Sequence, residues 1–81
     1  MLSIEYRYFY QSALDTSIRQ ASQNLNINSS AIVRQIQKLE DRLQTKLFIR
    51  NARGLELTEE GKLLFDHLSI QQTLIRNLGP L

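Results

Sequence analysis

Apolar residues recur along the chain with helical spacing, are broken once by a short alternating stretch, and then resume. Over residues 2–14, Tyr6, Phe9, Tyr10 and Ala13 fall on one helical face with no Gly or Pro among them, and Ser3 can cap the start. A second helix is predicted after Ser17, whose hydroxyl can accept a first-turn N–H, with Ile18, Ala21, Ser22 and Leu25 turned inward. Residues 24–28 interrupt the pattern with Asn24, Asn26 and Asn28, a residue type that tolerates left-handed backbone and favours tight turns. Asn28 or Ser29 then caps a third helix running to about residue 43. At 100° per residue, Ile32, Ile36, Leu39 and Leu43 of that helix lie within about 60° of one another and form a stripe for burial. Ser30, Val33, Arg34, Gln37 and Lys38 lie on its opposite side.

Two short apolar runs, at 46–50 and 55–58, flank Asn51-Ala52-Arg53-Gly54 and predict a small β-hairpin with Arg50 and Arg53 beside its tip. Thr58, followed by Glu59 and Glu60, is a helix start suited to the helix dipole; the helix should run to about residue 77 and stop near Gly79-Pro80. Along it Leu64, Leu68, Gln71, Ile75 and Leu78 recur by steps of four, three, four and three, a coiled-coil seam with one polar member. Gln71 either sets register there or sits near a frayed end. Leu63, Phe65 and Leu74 lie off the seam, so this helix carries more apolar surface than an isolated one can keep in water. Part can fold back on the hairpin, and the remainder calls for a partner. The expected fold class is mainly α, a winged helix-turn-helix: a three-helix core and a two-stranded β-hairpin wing over residues 1–58, then a long linker helix over 59–81 for dimerisation.

Composition narrows the chemistry. Eighty-one residues, 42% hydrophobic and 22% charged, suffice for one small domain with a marginal core of its own. Zero cysteines exclude a disulfide framework and a thiolate metal site. His67 is the only histidine, so no metal is expected, and a half-exposed position beside the seam suits it better. Three isolated glycines make no phosphate-cradling loop, and no Asp or Glu has a His, Cys or Lys partner at catalytic spacing, so neither an enzyme nor a cofactor is expected. No apolar run approaches the roughly 18 residues needed to cross a bilayer, and the first residues lack a signal-peptide pattern, so no membrane partner and a cytoplasmic location are expected.

The net charge of +2 hides an asymmetry: residues 1–53 sum to +4 and residues 54–81 to −2. Six cations fall between 34 and 53, at Arg34, Lys38, Arg42, Lys46, Arg50 and Arg53. Such a stretch is either a polyanion-binding surface or a solvated face of charges spaced four apart. The hydroxyl, methyl, guanidinium, amide and ammonium groups opposite the apolar stripe are the kinds that bind phosphates and base edges.

The run from Ala21 through Ile36, continued by Gln37-Lys38-Leu39-Glu40, resembles the helix-turn-helix signature of LysR-type transcriptional regulators. Leu47-Phe48-Ile49-Arg50 resembles the family's Leu-Phe-x-Arg segment before the wing, and Arg53 through Gly61 resembles the wing exit and linker-helix start. The pieces stand in family order over roughly residues 4–70. The resemblance implies sequence-specific binding of double-stranded DNA by a homodimer. Ser29, Ser30, Val33, Arg34, Gln37 and Lys38 of the third helix would face the major groove. Arg50, Asn51 and Arg53 of the wing would meet the adjacent backbone or minor groove, and the seam Leu64, Leu68, Gln71, Ile75, Leu78 would join two copies. The chain departs from the family pattern in lacking a Pro at residues 28–30, in Val33 where Ser is usual, and in length. The family's larger effector-binding domain is not within these residues, so a small-molecule effector would act only through a domain absent from this chain, and a fragment is the expected reading. The alternative is a small helical protein-interaction or dimerisation module whose basic face is incidental.

Overall fold

A computed structural model describes the backbone of residues 3–77 and the side chains of residues 3–72. The elements are α1 (Ile4–Asp15), α2 (Ile18–Leu25), α3 (Ser29–Leu43), β1 (Phe48–Asn51), β2 (Gly54–Leu57) and α4 (Glu59–Asn77). Each predicted element is present, with the first helix beginning at Ile4 and ending at Asp15. Ser3 and Ser17 cap α1 and α2 by accepting the Tyr6 and Gln20 N–H groups. The first three helices end on non-glycine residues in the left-handed region: Thr16 (φ 51°), Asn26 (φ 57°) and Gln44 (φ 54°). Asparagine enters that region readily, but a β-branched threonine does so at a cost, and here its hydroxyl donates to the Asp15 carbonyl at 2.7 Å.

One core joins all four helices and the hairpin. Phe9, Ala21, Ile32, Ile36, Leu39, Leu47 and Leu68 form its buried centre, and Tyr6, Tyr10, Ile18, Leu25, Phe48 and Phe65 pack around it. Ile32, Ile36 and Leu39 fill the expected stripe of α3, while Leu43, one turn further on, is exposed because the helix end passes beyond the core. Phe9 packs against Phe48 with ring centroids 5.2 Å apart, which ties the hairpin base to α1. Ser22, expected inward, is half-buried and satisfies its hydroxyl at the Arg19 carbonyl, 2.9 Å away. Ser12 is fully buried, and its Oγ has no hydrogen-bond partner among the described residues.

Part of the expected seam serves the protomer's own core. Leu68 is buried in that core, and Leu64 packs against it while remaining half-buried. Phe65 stacks on Tyr10 at 4.8 Å, and Ser69 Oγ donates to the Tyr10 hydroxyl at 3.3 Å; together these dock α4 on α1. Among the described residues of α4, the large apolar side chains exposed to water are Leu63 and Ile70, and Gln71 is exposed with its amide against the His67 ring at 3.1 Å. The Ile75 side chain and Leu78 lie outside the described residues.

A strap of residues 44–47 carries the chain from α3 to β1 and is gripped from the α4 side. Thr58 donates its hydroxyl to the Lys46 carbonyl (2.6 Å) and its N–H to the Leu47 carbonyl (3.0 Å), and the same hydroxyl caps α4 by accepting the Gly61 N–H at 3.0 Å. Gly61 is required by this contact: a Cβ there would overlap the Leu47 carbonyl oxygen and press on Leu57.

Two alanine substitutions in helices should therefore act in opposite directions. Gly61→Ala should destabilise the fold by about 1–3 kcal/mol despite alanine's better helix propensity, because the strap carbonyl is backbone and cannot step aside. Ser12→Ala should leave stability unchanged or raise it by up to about 1 kcal/mol, since it deletes an unpartnered buried hydroxyl. Denaturant titrations of both variants decide the signs; a gain for Gly61→Ala would contradict the packing described.

Candidate nucleic-acid interface

Burial of Ile32, Ile36 and Leu39 turns the other side of α3 to solvent. Ser30, Arg34, Gln37 and Lys38 are exposed there, Val33 is half-buried at the edge, and Ser29 is exposed at the start of the helix. Asn28 occupies the cap position of α3 but makes no side-chain capping bond, unlike Ser3, Ser17 and Thr58 at the other helices. The helix-starting N–H groups beside Ser29 and Ser30 therefore lack that side-chain acceptor, and they carry the partial positive charge of the helix end.

The six cations of the basic stretch divide into two kinds. Arg42 is consumed by the fold: it pairs with Glu5 at 2.9 Å and lies over the Tyr6 ring at 5.6 Å, joining the end of α3 to the start of α1. Lys46 stands 3.7 Å from the Glu40 carboxylate. Arg34, Lys38, Arg50 and Arg53 form no ion pair among the described residues, and all four are exposed.

The antiparallel hairpin pairs Phe48 with Leu57, Ile49 with Glu56, Arg50 with Leu55 and Asn51 with Gly54. Alternation puts Arg50 on the inner face with Phe48, Leu55 and Leu57, so it points toward the helices rather than flanking the tip. There it shares a groove of about 300 Å³ with Val33 and Gln37 of α3, floored by Ile18, Ile36, Phe48 and Leu55. Arg50 also borders a second cleft, with Thr16, Ser17 and Arg53. Val33 and Gln37 of α3 and Arg50 of β1, thirteen residues beyond Gln37, thus line one concave surface.

Asn51 has a different part from the one expected of a free polar side chain. Its Oδ1 accepts the Arg53 N–H at 2.9 Å and its Nδ2 donates to Glu56 at 2.8 Å, so it folds the turn that carries Arg53. Gly54, at φ 120°, closes that turn with its Cα against the α1–α2 corner, where a Cβ would stand 3.4 Å from the Thr16 carbonyl. Sequence reasoning missed Thr16 and Ser17 at this cleft, since only folding brings the corner under the hairpin. It also missed Glu40, which is 7% exposed. Its position four residues after Ile36 and next to Leu39, at the rim of the stripe, is the signal that could have marked it.

Comparison with known proteins agrees with this geometry. The sequence model of the bacterial regulatory helix-turn-helix protein, lysR family, matches residues 5–62. A probable cat1 operon transcriptional activator from Acinetobacter lwoffii is 39% identical over 62 residues, 76% of this chain and 20% of that protein. The HTH-type transcriptional activator AmpR from Providencia stuartii is 43% identical over 63 residues, 78% of this chain and 22% of that protein. The chain thus spans about a fifth of the length of these relatives. Among solved structures, the BenM DNA-binding domain in its complex with catB site 1 DNA superposes with a TM-score of 0.85 at 27% identity, covering 96% of this chain and 88% of that one. The CbnR DNA-binding domain in complex with DNA gives a TM-score of 0.82 at 29% identity, covering 98% and 91%. With the family's sequence pattern running through the turn, α3 and the wing, and with its fold reproduced across nearly the whole chain, this chain belongs to the lysR family of bacterial regulatory helix-turn-helix proteins.

Proposed function

We propose that the chain binds double-stranded DNA sequence-specifically, as the DNA-binding part of a homodimeric transcriptional regulator in the cytoplasm, and that it is a regulator rather than an enzyme. The observation that carries this reading is the set of four exposed cations without ion pairs among the described residues, Arg34, Lys38, Arg50 and Arg53, gathered on α3 and the hairpin, with the exposed hydroxyls of Ser29 and Ser30 at the start of α3. In this reading α3 enters the major groove, where Ser29, Ser30, Val33, Arg34 and Gln37 meet base edges and Lys38 meets a phosphate. Val33 supplies a methyl surface suited to a thymine methyl. Arg50 reaches the backbone from the groove between α3 and the wing, and Arg53, held out by the Asn51 turn, meets the adjacent backbone or minor groove. Neutralised phosphates release counterions and supply most of the affinity, while base contacts supply discrimination. That two relatives of the same fold are described as complexes with DNA supports the assignment.

Residues 1–58 then form the reading unit and residues 59–81 the pairing helix. Since Leu64 and Leu68 serve the protomer's own core, pairing falls to the outer face of α4, marked by Leu63 and Ile70 with Gln71 beside them. Paired α4 helices would set the spacing of the two α3 helices and so select inverted half-sites about one DNA turn, or a multiple, apart. Small-molecule control would come from a further domain outside these residues.

Footprinting on DNA upstream of the chain's own gene supplies the site for the tests. On that site Arg34→Ala should cost about 5–150-fold in affinity, the worth of one good base contact, but less than about threefold on random duplex at the same salt. Equal losses on both would remove Arg34 from base reading. Ile70→Glu should shift the chain toward monomers in sedimentation and weaken binding to the two-half-site duplex, while its circular dichroism stays helical. A variant that still sediments as a dimer would put pairing elsewhere.

A further inference from the structure

The reading surface consists of two parts, a helix and a hairpin, whose relative angle decides whether Arg34 and Arg53 can engage one duplex together. Glu40 joins the two. It lies on α3, six residues beyond Arg34, and is 7% exposed, an unusual state for a carboxylate. Its Oε2 accepts the Leu47 N–H at 2.8 Å and the Phe48 N–H at 3.3 Å, and its backbone carbonyl accepts the Thr45 N–H at 3.1 Å. Phe48 is the first residue of β1, so the carboxylate pins the hairpin at its root. The strap's other side is held by Thr58 of α4, through the Lys46 and Leu47 carbonyls.

We propose that Glu40 is a positioning residue for the wing: by clamping the N–H groups of Leu47 and Phe48 to α3, it sets the angle between recognition helix and hairpin and so where Arg53 meets the duplex. The proposal rests on the DNA-binding reading above and adds to it a residue that touches no DNA. Leverage makes the clamp matter. Arg53 sits in the turn at the hairpin tip, two residues past the end of β1 and about 12 Å from Phe48, so a tilt of about 10° at the root displaces it by about 2 Å, enough to break a hydrogen bond. Lys46, 3.7 Å from the other carboxylate oxygen and largely in solvent, contributes little to the hold. The two N–H donors, one buried and one partly so, bind a charged acceptor and form the strong part of the joint.

Acceptor and charge are separable. Glu40→Ala removes both; Glu40→Gln keeps an uncharged acceptor with the same reach. The test measures residual dipolar couplings of α3 and the hairpin in the free 81-residue chain, and affinity for a mixed-sequence duplex of about 25 base pairs, for each residue-40 form with and without Arg53→Ala. The hairpin should turn against α3 in Glu40→Ala and hold its angle in Glu40→Gln. Arg53→Ala should cost about tenfold in affinity with Glu or Gln at position 40 and less than about twofold with Ala there. An unchanged hairpin angle in Glu40→Ala, or a Gln variant behaving like the Ala variant, overturns the proposal, the second because charge alone would then be at work. If Glu40→Ala does not fold, loss of the Arg53 contribution in Glu40→Gln overturns it and retention supports it. If the hairpin turns as expected yet Arg53→Ala costs nothing in the parent chain, the clamp stands and the wing's role in DNA binding falls.

Discussion

Ile32, Ile36 and Leu39 give up nearly all contact with water, and what α3 can present to a partner follows from that burial. Each such side chain contributes about 1.5–3 kcal/mol on transfer from water, far more than any surface ion pair of the molecule. The stripe docks α3 on Phe9, Ala21, Leu47 and Leu68, leaving the helix no freedom to rotate about its axis. Arg34, Lys38 and the Ser30 hydroxyl face outward because they lie between a third and a half of a turn away from residues that cannot face outward.

The same helix governs the hairpin. A two-stranded hairpin is marginal alone, and this one draws its stability from its root: Phe48 against Phe9, Leu47 in the core, Glu40 on the strap from one side and Thr58 from the other. The root is therefore rigid relative to α3 and α4 together. A buried carboxylate is a costly choice for such a joint, tolerated because it is paired with N–H donors of the strap that would otherwise lack partners. It gives the joint a direction that apolar packing cannot supply, since hydrogen bonds are directional and hydrophobic contact is not.

Charge is allocated by the same economy of position. Arg42 and Lys46 belong to the basic stretch yet face carboxylates of their own protomer, whereas Arg34, Lys38, Arg50 and Arg53 do not. Among the described residues of α4, Leu68 is buried in the core, Leu64 and Phe65 pack against it half-buried, and Leu63 and Ile70 stand in solvent.

Local rules applied to the sequence were enough for the elements and their ends, apart from the stop near Gly79-Pro80, which lies outside the described residues, because helix periodicity, Ser and Thr caps, Asn turns and a Gly-closed hairpin act within a few residues. They were also enough for the two sides of α3, where the stripe and the polar face follow from a 100° step, and for the resemblance to a helix-turn-helix family. Three things, at Leu68, Arg50 and Glu40, were decided only by the tertiary structure, and a fourth, at Asn51, by the hairpin itself. Leu68 went to the core and not to a seam, since a 3.5-residue repeat marks an apolar face without naming its neighbour. Arg50 turned toward α3 and not the tip, because strand pairing set its side. Asn51 was taken up by its own turn, and Glu40 was drawn inward by two amide groups seven and eight residues away. For Leu68, Arg50 and Glu40 the partner lies on another element, and a pattern read along one segment carries no information about what the rest of the molecule brings up against it; the turn partners of Asn51 lie only two and five residues on.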